Sequence, residues 1–215
     1  MKGQYKGLDY AILQCKPVIS SSNTNVKDLS DKLCLLHKAQ YFMDSFYKCA
    51  LAHNVKGLPC KHDSMKWNAA GAFIGKLVDV LPSAPTDGTD DNQSLIYDVF
   101  LATLLLPSGA LYCEVKFSGN KQPGNNEDLI GCVVDAYSHH VLIDSEFEIL
   151  ISDIQGIIAP DHSVILFNPQ AHMYNRDSSY WDKGPDQIQL FQTLHDCNQF
   201  CKALGLEQHI PGLQH

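Results

Sequence analysis

The 215-residue sequence predicts an α+β protein whose chain forms two lobes around a cleft. Three observations support this fold class. Strand-like and helix-like segments alternate without an internal repeat, one apolar pattern is long enough for a single extended helix, and a polar segment near residues 114–126 separates two mixed halves. We therefore expect one domain over residues 1–215, with an N-terminal lobe at about 1–113 and a C-terminal lobe at about 114–215. Two lobes joined by such a hinge are typical of enzymes that bind a ligand between them.

The N-terminal lobe is predicted to contain a strand, a long helix and a pair of strands. Residues 10–18 contain aromatic and β-branched side chains and end near a proline, which favours a strand. Residues 26–53 are predicted to form an amphipathic helix, because their apolar side chains recur at helical spacing. These apolar residues are Leu29, Leu33, Leu36, Phe42, Met43, Phe46 and Ala50. Residues 95–105 and 110–117 are predicted to be two paired strands around a Pro-Ser-Gly turn.

The C-terminal lobe is predicted to contain two helices separated by strands. Residues 129–140 are expected to be helical, and residues 146–158 and 162–170 are expected to form strands. Residues 184–206 predict a final helix with Pro185 in its first turn, where the missing backbone N–H costs nothing.

Composition and charge argue against several classes of function. The formal net charge of −8 repels phosphate backbones and no basic run offsets it, so we expect no nucleic-acid partner. The longest apolar stretch, residues 95–107, contains Asp98 and is too short to span a bilayer, and the N-terminus lacks the pattern of a signal peptide. We expect a cytoplasmic or nuclear protein that does not bind membranes, and in that compartment the eight cysteines are expected to be thiols.

The segment LHDCNQFCKAL at residues 194–204 brings His195, Cys197 and Cys201 together in the sequence. Cysteines four residues apart lie on one face of a helix, so both thiolates could bind one metal ion. His195 would point elsewhere in a regular helix and joins them only at a bend or a helix edge. A structural zinc site needs a fourth ligand, and the candidates are His139, His140, His162 and His172. The alternative is a pair of buried cysteines beside a surface histidine.

Four segments taken together resemble the alpha-kinase family, which includes myosin heavy chain kinase, elongation factor 2 kinase and the channel-fused kinases. They are AYSHHVLIDSEFEILISDIQG, ILFNPQAH, GPDQIQLFQTLHDCNQFCKALGL and, more loosely, CEVKFSGNKQPGNN. The family pattern has a Ser-His upstream of an Asp-x-Gln-Gly, and here Ser138-His139 precedes the segment from Asp153 to Gly156 at the same spacing. The resemblance is strong over about residues 114–206 and weak before them.

The resemblance implies a bilobal, protein-kinase-like fold with a structural zinc ion in the C-terminal lobe. Its ligands would be His139, His195, Cys197 and Cys201. The chain begins almost at the first predicted strand, where the family has further strands upstream. The resemblance therefore also implies a shortened N-terminal lobe.

The resemblance implies roles for five residues near the cleft. Asp153 would lie at the γ-phosphate of ATP and orient the acceptor hydroxyl, and Gln155 would help to hold Mg²⁺ by its amide oxygen. Glu114 would lie in the hinge and contact the adenine, while Lys121 and Asn125 would face the nucleotide and the substrate. Such roles suit phosphoryl transfer, which requires charge neutralisation and in-line positioning. The implied cofactors are ATP, Mg²⁺ and structural Zn²⁺, and the implied partner is a protein substrate with Ser or Thr.

The predicted catalytic set is completed by Asn168, which stands where the family has an Asp before the Pro of its Asp-Pro-Gln segment. An Asn oxygen can contact Mg²⁺ but brings no negative charge, so we expect weaker metal binding than in the family. Asp161, in the turn before this strand, is the alternative source of a carboxylate.

Two further segments depart from the family pattern. The glycine-rich loop before the last helix keeps only Gly184, and Ser179, Tyr180 and Trp181 are expected to form a contact surface in its place. The ATP-facing lysine of the first strand is missing at its expected place, because Lys16 is displaced by two or three residues along the strand. The alternative is a slipped register, since Lys16 would share a face of the strand with Gln14 and Ile12.

Three hypotheses of function follow. The first is an alpha-type serine/threonine protein kinase, and the second is a pseudokinase that keeps the fold and binds a nucleotide or a protein without transferring phosphate. The third is an unrelated zinc-containing interaction domain. The third hypothesis predicts zinc without nucleotide binding, whereas the first two predict that nucleotide stabilises the folded protein.

Overall fold

The computed structural model describes residues 1–15, 22–58, 64–78, 95–179 and 182–206. The protein has the α+β architecture that the sequence predicts. The strands are β1 (Lys2–Tyr5), β2 (Leu8–Leu13), β3 (Met65–Trp67), β4 (Phe73–Lys76), β5 (Val99–Leu104), β6 (Cys113–Lys116), β7 (Ile149–Ser152), β8 (Gln155–Ile158), β9 (Val164–Phe167) and β10 (Gln170–Met173). The helices are α1 (Ser22–Ala52), α2 (Leu129–Asp144), α3 (Pro185–Leu194) and α4 (Gln199–Ala203).

The N-terminal sheet is antiparallel, with the strand order β1-β2-β5-β4. Helix α1 contains no glycine or proline, so nothing in its sequence interrupts 31 residues of helix. Its first half packs on this sheet, where Leu29 contacts a cluster with Val99 and Leu101. The helix begins four residues earlier than the sequence predicts and ends at about the predicted position.

The central sheet has the strand order β3-β9-β8-β6, in which β3 and β9 are parallel and the other pairs are antiparallel. Lys116, Gln155 and Phe167 are cross-strand neighbours in this sheet. Because directly opposed residues share a face, these three side chains project from the same side of the sheet. The opposite side carries Trp67 and Leu166, which are buried in the main core.

The predicted pairing of residues 95–105 with residues 110–117 is wrong. Strand β5 pairs with β2 and β4, whereas β6 pairs with β8 in the central sheet. The Pro-Ser-Gly segment between β5 and β6 therefore connects two sheets rather than closing a hairpin. Pairing between strands distant in sequence has no local signal, and the short strands β3 and β4 are missed for the same reason. Strand β1, which forms a hairpin with β2, is missed as well.

Helix α2 lies in the centre of the main core, and it is buried almost continuously from Gly131 to Leu142. Its residue Tyr137 contacts Trp67 of β3 and Phe46 of α1. The helix begins at Asp128, whose side chain accepts a hydrogen bond from the Gly131 backbone N–H as an N-cap. This position makes α2 the element on which the β7–β10 strand pair, the central sheet, α1 and the C-terminal helices pack.

The predicted single helix over residues 184–206 is wrong, because the chain forms two helices with a break between them. Helix α3 ends with His195 in an extended conformation as its C-cap. Asn198 then starts α4, since its side-chain oxygen accepts hydrogen bonds from the backbone N–H groups of Phe200 and Cys201. The break supplies the bend that His195 requires in order to face the two cysteines.

None of the helices in the described ranges has an apolar stretch long enough to cross a lipid bilayer. The predicted lobe boundary at about residue 113 falls at the start of β6, where the chain has passed from the N-terminal sheet to the central sheet.

Candidate functional site

A cluster of two histidines and two cysteines lies between α2 and the break after α3. The ligand atoms of His139, His195, Cys197 and Cys201 all lie within 4.8 Å of one another. His139 Nδ1 is 3.6 Å from Cys197 Sγ, and His195 Nε2 is 3.5 Å from Cys201 Sγ. In a tetrahedral zinc site with bonds of about 2.0–2.3 Å, neighbouring ligand atoms are roughly 3.3–3.8 Å apart. The donor set therefore fits zinc, and the two shortest donor distances fall within this range.

The fold holds these four side chains by packing and by capping. The His195 ring stacks on Phe191 with ring centroids 4.9 Å apart, and it meets the His139 ring edge to face at 4.8 Å. Asn198 donates a side-chain hydrogen bond to the backbone oxygen of Cys132 on α2 at 2.8 Å, which fixes the start of α4 against α2. The ligand geometry is thus set by contacts around the cluster.

The protonation states of these groups depend on whether a metal ion is bound. Burial lowers the pKa of His195 to about 4, so its ring is in the neutral form that binds metal ions. Burial raises the pKa of the Cys201 thiol, whereas zinc coordination deprotonates a thiol outright.

The other histidines considered as the fourth ligand lie elsewhere. His140 Nε2 is 3.3 Å from Ser45 Oγ on α1, and His162 lies in the turn between β8 and β9. His172 is completely buried between two backbone groups, the oxygen of Asn120 and the N–H of Lys183. The sequence alone left four candidates for this ligand, and the geometry places His139 beside the other three donors.

A cleft of about 420 Å³ lies between the N-terminal sheet, α1 and the end of β9. Its walls are mostly apolar, with Leu13, Leu101 and Leu106 among the lining residues. The polar lining residues are Gln14, Lys32, Asn68, Thr103 and Asn168. A mostly apolar cleft with a few polar groups at its edge is the usual form of a small-molecule site.

Asp153 lies in the turn between β7 and β8, at one end of the central sheet. Its backbone has φ 53°, an uncommon value for a residue other than glycine and one that often marks functional turns. Its carboxylate is largely buried and accepts from two side chains. Lys116 Nζ is 2.5 Å from one oxygen, and Gln170 Nε2 donates to the other oxygen at 3.0 Å.

Gln155 and Asn168 lie next to Asp153. Gln155 opposes both Lys116 and Phe167 across the sheet, so its side chain projects on the side of Phe167, which lines the cleft. Asn168 follows β9 with φ 51° and lines the cleft itself. The three predicted catalytic residues therefore meet at one end of the central sheet, beside the cleft.

The alternative carboxylate, Asp161, lies at the other end of the β8–β9 hairpin. It accepts hydrogen bonds from the backbone N–H and the hydroxyl of Ser163 within the turn. Three residues of β8 separate that end from Gln155, which corresponds to roughly 10 Å of strand. Asp161 is thus too far away to replace the charge that Asn168 lacks.

The predicted nucleotide-binding residues occupy three different environments. Glu114 is exposed on β6, two residues before Lys116 and on the same face of the strand. Lys121 has an exposed side chain, and its backbone oxygen accepts from the Gln187 side chain. Asn125 donates to the oxygen of Leu194 at 2.8 Å and accepts from the N–H of Asp196 at 3.0 Å. The Asn125 amide therefore holds the chain beside the His-Cys cluster.

The structure can be compared only in part with the two departures from the family pattern, the lost glycine loop and the displaced lysine. Tyr180, Trp181 and Lys16 belong to segments that the structure does not describe. Gly184 has φ 63°, and a Cβ there would lie 2.4 Å from Arg176 Cγ, so the position requires glycine.

Sequence reasoning missed two residues at the site, Lys116 and Gln170. Lys116 could have been found from the alternation of side chains along β6. Residues two apart on a strand share a face, and Glu114 was already a candidate. Gln170 had no comparable signal, because its contact with Asp153 depends on the pairing of β10 with β7.

Comparison with known proteins agrees with this architecture. The alpha-kinase family model matches residues 9–201. No curated protein matches the sequence. The crystal structure of the alpha-kinase domain of myosin heavy chain kinase A with AMP superposes with a TM-score of 0.64 at 17% identity, covering 93% of this chain and 66% of that chain. The complex of that domain with AMPPCP gives a TM-score of 0.66 at 18% identity, covering 93% of this chain and 64% of that chain.

A form of the same domain with a phosphorylated aspartate gives a TM-score of 0.64 at 18% identity, with 93% and 64% coverage. The chain thus spans slightly less than two thirds of the length of these solved domains. At such identities the structural likeness shows the fold, and the family model covers most of the sequence. The protein therefore belongs to the alpha-kinase family.

Proposed function

We propose that this chain is a serine/threonine protein kinase domain of the alpha type, which binds ATP in the cleft and transfers its γ-phosphoryl group to a protein hydroxyl. The observation that carries the proposal is the meeting of Asp153, Gln155 and Asn168 beside the cleft. Fold membership alone would not support an activity, because one fold can serve many functions.

The cleft has the chemistry that an adenine nucleotide requires. Its apolar walls suit the adenine ring, and exposed Glu114 lies on the face of β6 that also carries Lys116. The likeness to a domain solved with AMP and with AMPPCP supports an adenine nucleotide over other ligands of this size. The triphosphate would then extend toward Asp153 at the end of the sheet.

Asp153 would act at the acceptor hydroxyl. The hydroxyl oxygen attacks the γ-phosphorus, the bond to the β–γ bridging oxygen breaks, and the hydroxyl proton passes to the Asp153 carboxylate. The hydrogen bond from Gln170 and the ion pair with Lys116 hold this carboxylate in one orientation. Phosphoryl transfer depends on such positioning more than on covalent work by the protein.

Mg²⁺ would be held by the amide oxygens of Gln155 and Asn168 together with the nucleotide phosphates. Amide oxygens are suitable ligands for this hard cation, although a magnesium site commonly includes a carboxylate. When bound, Mg²⁺ neutralises charge on the phosphates. We propose structural Zn²⁺ at His139, His195, Cys197 and Cys201, where its role would be to join α2 to the C-terminal helices.

We also propose that residues 1–215 act as one domain with the lobe boundary at about residue 113. The nucleotide would then bind where the N-terminal sheet faces the central sheet, which is the position of the cleft.

The proposal is tested by transfer of labelled γ-phosphate from Mg-ATP to the protein itself and to a Ser/Thr-containing peptide. The zinc-loaded chain is compared with Asp153→Asn and with Asp161→Asn, which changes an exposed carboxylate of the same hairpin. We expect label with the wild type and Asp161→Asn, and a loss of about a hundredfold or more with Asp153→Asn. Equal label with Asp153→Asn, or none from a folded wild type that binds ATP, would refute the catalytic proposal, and the second result would favour a pseudokinase.

A further inference from the structure

The Asp153 carboxylate already has a cation beside it. Lys116 Nζ lies 2.5 Å from Asp153 Oδ1, and the Asp153 side chain is 11% exposed. Gln170 donates to the second oxygen, so both carboxylate oxygens are occupied by donors that belong to the chain. Each oxygen keeps a further lone pair, so a divalent cation bound directly to Asp153 would share the carboxylate with the Lys116 ammonium group and be repelled by it.

The Lys116 ammonium group can still donate hydrogen bonds to a ligand after it forms this ion pair. An ammonium group carries three N–H donors, and the ion pair with Asp153 uses one of them. The Lys116 side chain is 57% exposed, so its remaining donors are accessible. Its cross-strand neighbours are Gln155 and then Phe167, and Phe167 lines the cleft. The remaining donors therefore lie on the side of the sheet from which a nucleotide would approach.

The groups around Asp153 favour the Lys116 ammonium group over a metal ion as the neighbouring cation. Gln155, Asn168 and Gln170 are neutral amides, so at this end of the sheet they add no negative charge to that of Asp153. Magnesium sites in proteins usually combine one or two carboxylates with phosphate oxygens and water. The Asp153 carboxylate is compensated by Lys116, and a dication placed next to it would be repelled by the ammonium group.

We propose that Lys116, beside this cleft, is a phosphate-binding cation in addition to Lys32 of the cleft lining, and that adenine nucleotides bind to Lys116 without a divalent metal ion. This inference rests on the proposed function, because it requires a nucleotide in the cleft. Lys116 would bridge the Asp153 carboxylate and a phosphate oxygen, which keeps Asp153 beside the reacting end of the nucleotide. Mg²⁺ would then be needed for phosphoryl transfer and not for binding.

The test is a calorimetric titration of the zinc-loaded chain with ATP, in buffer treated to remove divalent ions and again with added Mg²⁺. Zinc content is measured before and after each titration. The variants are Lys116→Met, Lys116→Arg and Lys76→Met, where Lys76 is an exposed lysine in an ion pair with Asp98 on the N-terminal sheet. Adenosine is titrated in parallel, because it lacks the phosphates that Lys116 would contact.

We expect the wild type and Lys76→Met to bind ATP without divalent ions, with an affinity within about tenfold of that measured with Mg²⁺. Lys116→Met should lose about tenfold to a hundredfold of this affinity, Lys116→Arg should keep most of it, and adenosine binding should be unchanged in all of them. ATP binding that requires Mg²⁺, or equal metal-free affinity in Lys116→Met, would overturn the role of Lys116 and leave the proposed function standing. Failure of the wild type to bind ATP in either buffer would instead remove the proposed function itself.

Discussion

The indole N–H of Trp67 donates a hydrogen bond to the phenol oxygen of Tyr137 at 3.0 Å, and both side chains are almost completely buried. The Tyr137 hydroxyl donates in turn to the backbone oxygen of Ala39 at 2.8 Å. This chain of two hydrogen bonds connects β3, α2 and α1 in the middle of the core. Both buried polar groups are satisfied by partners within the protein, so the network fixes how these three elements pack.

Replacing Tyr137 by Phe should destabilise the protein by about 1–3 kcal/mol, because it leaves the Trp67 indole N–H buried without its acceptor and removes the side-chain hydrogen bond to the Ala39 oxygen. Tyr41→Phe is the matched control, since Tyr41 lies on α1 and is 66% exposed. Urea unfolding of the two variants measures the difference. Equal stability of the two variants would show that the buried network does not contribute.

Removal of the proposed zinc ion should lower the melting temperature. Cys201→Ser removes a fully buried ligand, and Cys34→Ser changes an exposed cysteine on α1. We expect Cys34→Ser to retain one zinc ion per chain and Cys201→Ser to lose it. The melting temperature of Cys201→Ser should fall by about 6–12 °C, since each kcal/mol of a loss of ~3 kcal/mol lowers it by roughly 2–4 °C in a domain of this size.

Elemental analysis and thermal unfolding with and without a chelator measure both effects. A chelator should lower the melting temperature of the wild type and of Cys34→Ser, and it should have little further effect on Cys201→Ser. Wild-type protein that carries no zinc, or that is insensitive to the chelator, would contradict a structural metal site.

The segment that leads from β6 to α2 is held by a buried carboxylate. Asp135 accepts from the backbone N–H of Asn126 at 2.6 Å and from its side chain at 2.9 Å, and burial raises the pKa of Asp135 to about 6. A Cβ on Gly124 would lie 2.2 Å from the Asp135 carboxylate and 2.4 Å from the backbone oxygen of Phe117. The network leaves no room for a side chain at this glycine.

Gly124→Ala should therefore destabilise the protein by about 2–3 kcal/mol, because the added methyl group overlaps fixed polar groups. Gly119→Ala is the control in the same segment, since a Cβ there meets its nearest neighbour at 3.8 Å. Denaturant unfolding of both variants should show a small change for Gly119→Ala. A neutral Gly124→Ala would mean that the segment moves away easily and that the Asp135 network is weak.

The sequence predicted the helices and the candidate residues better than it predicted their arrangement. The apolar spacing located α1 and α2, because helical periodicity is a local property. The resemblance brought His139 together with the His195-Cys197-Cys201 segment, and the cluster has that composition. The break between α3 and α4 was missed, although Asn198 carries the side chain of a good N-cap.

The environment of Asp153 could not be predicted, because it depends on strand pairing. Lys116 reaches Asp153 from β6, and Gln170 reaches it from β10. The pairing of β6 with β8 decides the first contact, and the pairing of β10 with β7 decides the second. The sequence indicated a hairpin of β5 and β6 instead. The sequence thus identified Asp153 as a candidate functional residue, but it did not identify Lys116 and Gln170, which contact Asp153 from distant strands.

His172 joins the segment before α2 to the loop before α3. Its Nε2 lies 2.8 Å from the backbone oxygen of Asn120, and its Nδ1 accepts from the N–H of Lys183 at 3.0 Å. One ring nitrogen must then carry a proton and the other must not, which is the neutral form. Burial lowers the pKa of His172, and the Asp182 carboxylate, with an oxygen 3.8 Å from Nδ1, opposes this shift only in part.

As the pH falls, His172 should therefore bind a proton at a higher pH in the unfolded chain than in the folded protein. Its contribution to stability is complete above the unfolded pKa of about 6.5 and is lost as the pH falls below that value, by up to about 1.4 kcal/mol per pH unit. His172→Gln can keep one donor and one acceptor but does not titrate. Chemical unfolding from pH 8 to pH 5 should show the wild type losing stability relative to His172→Gln below pH ~6.5. A constant difference over this range, or a relative gain by the wild type in acid, would contradict a neutral buried His172.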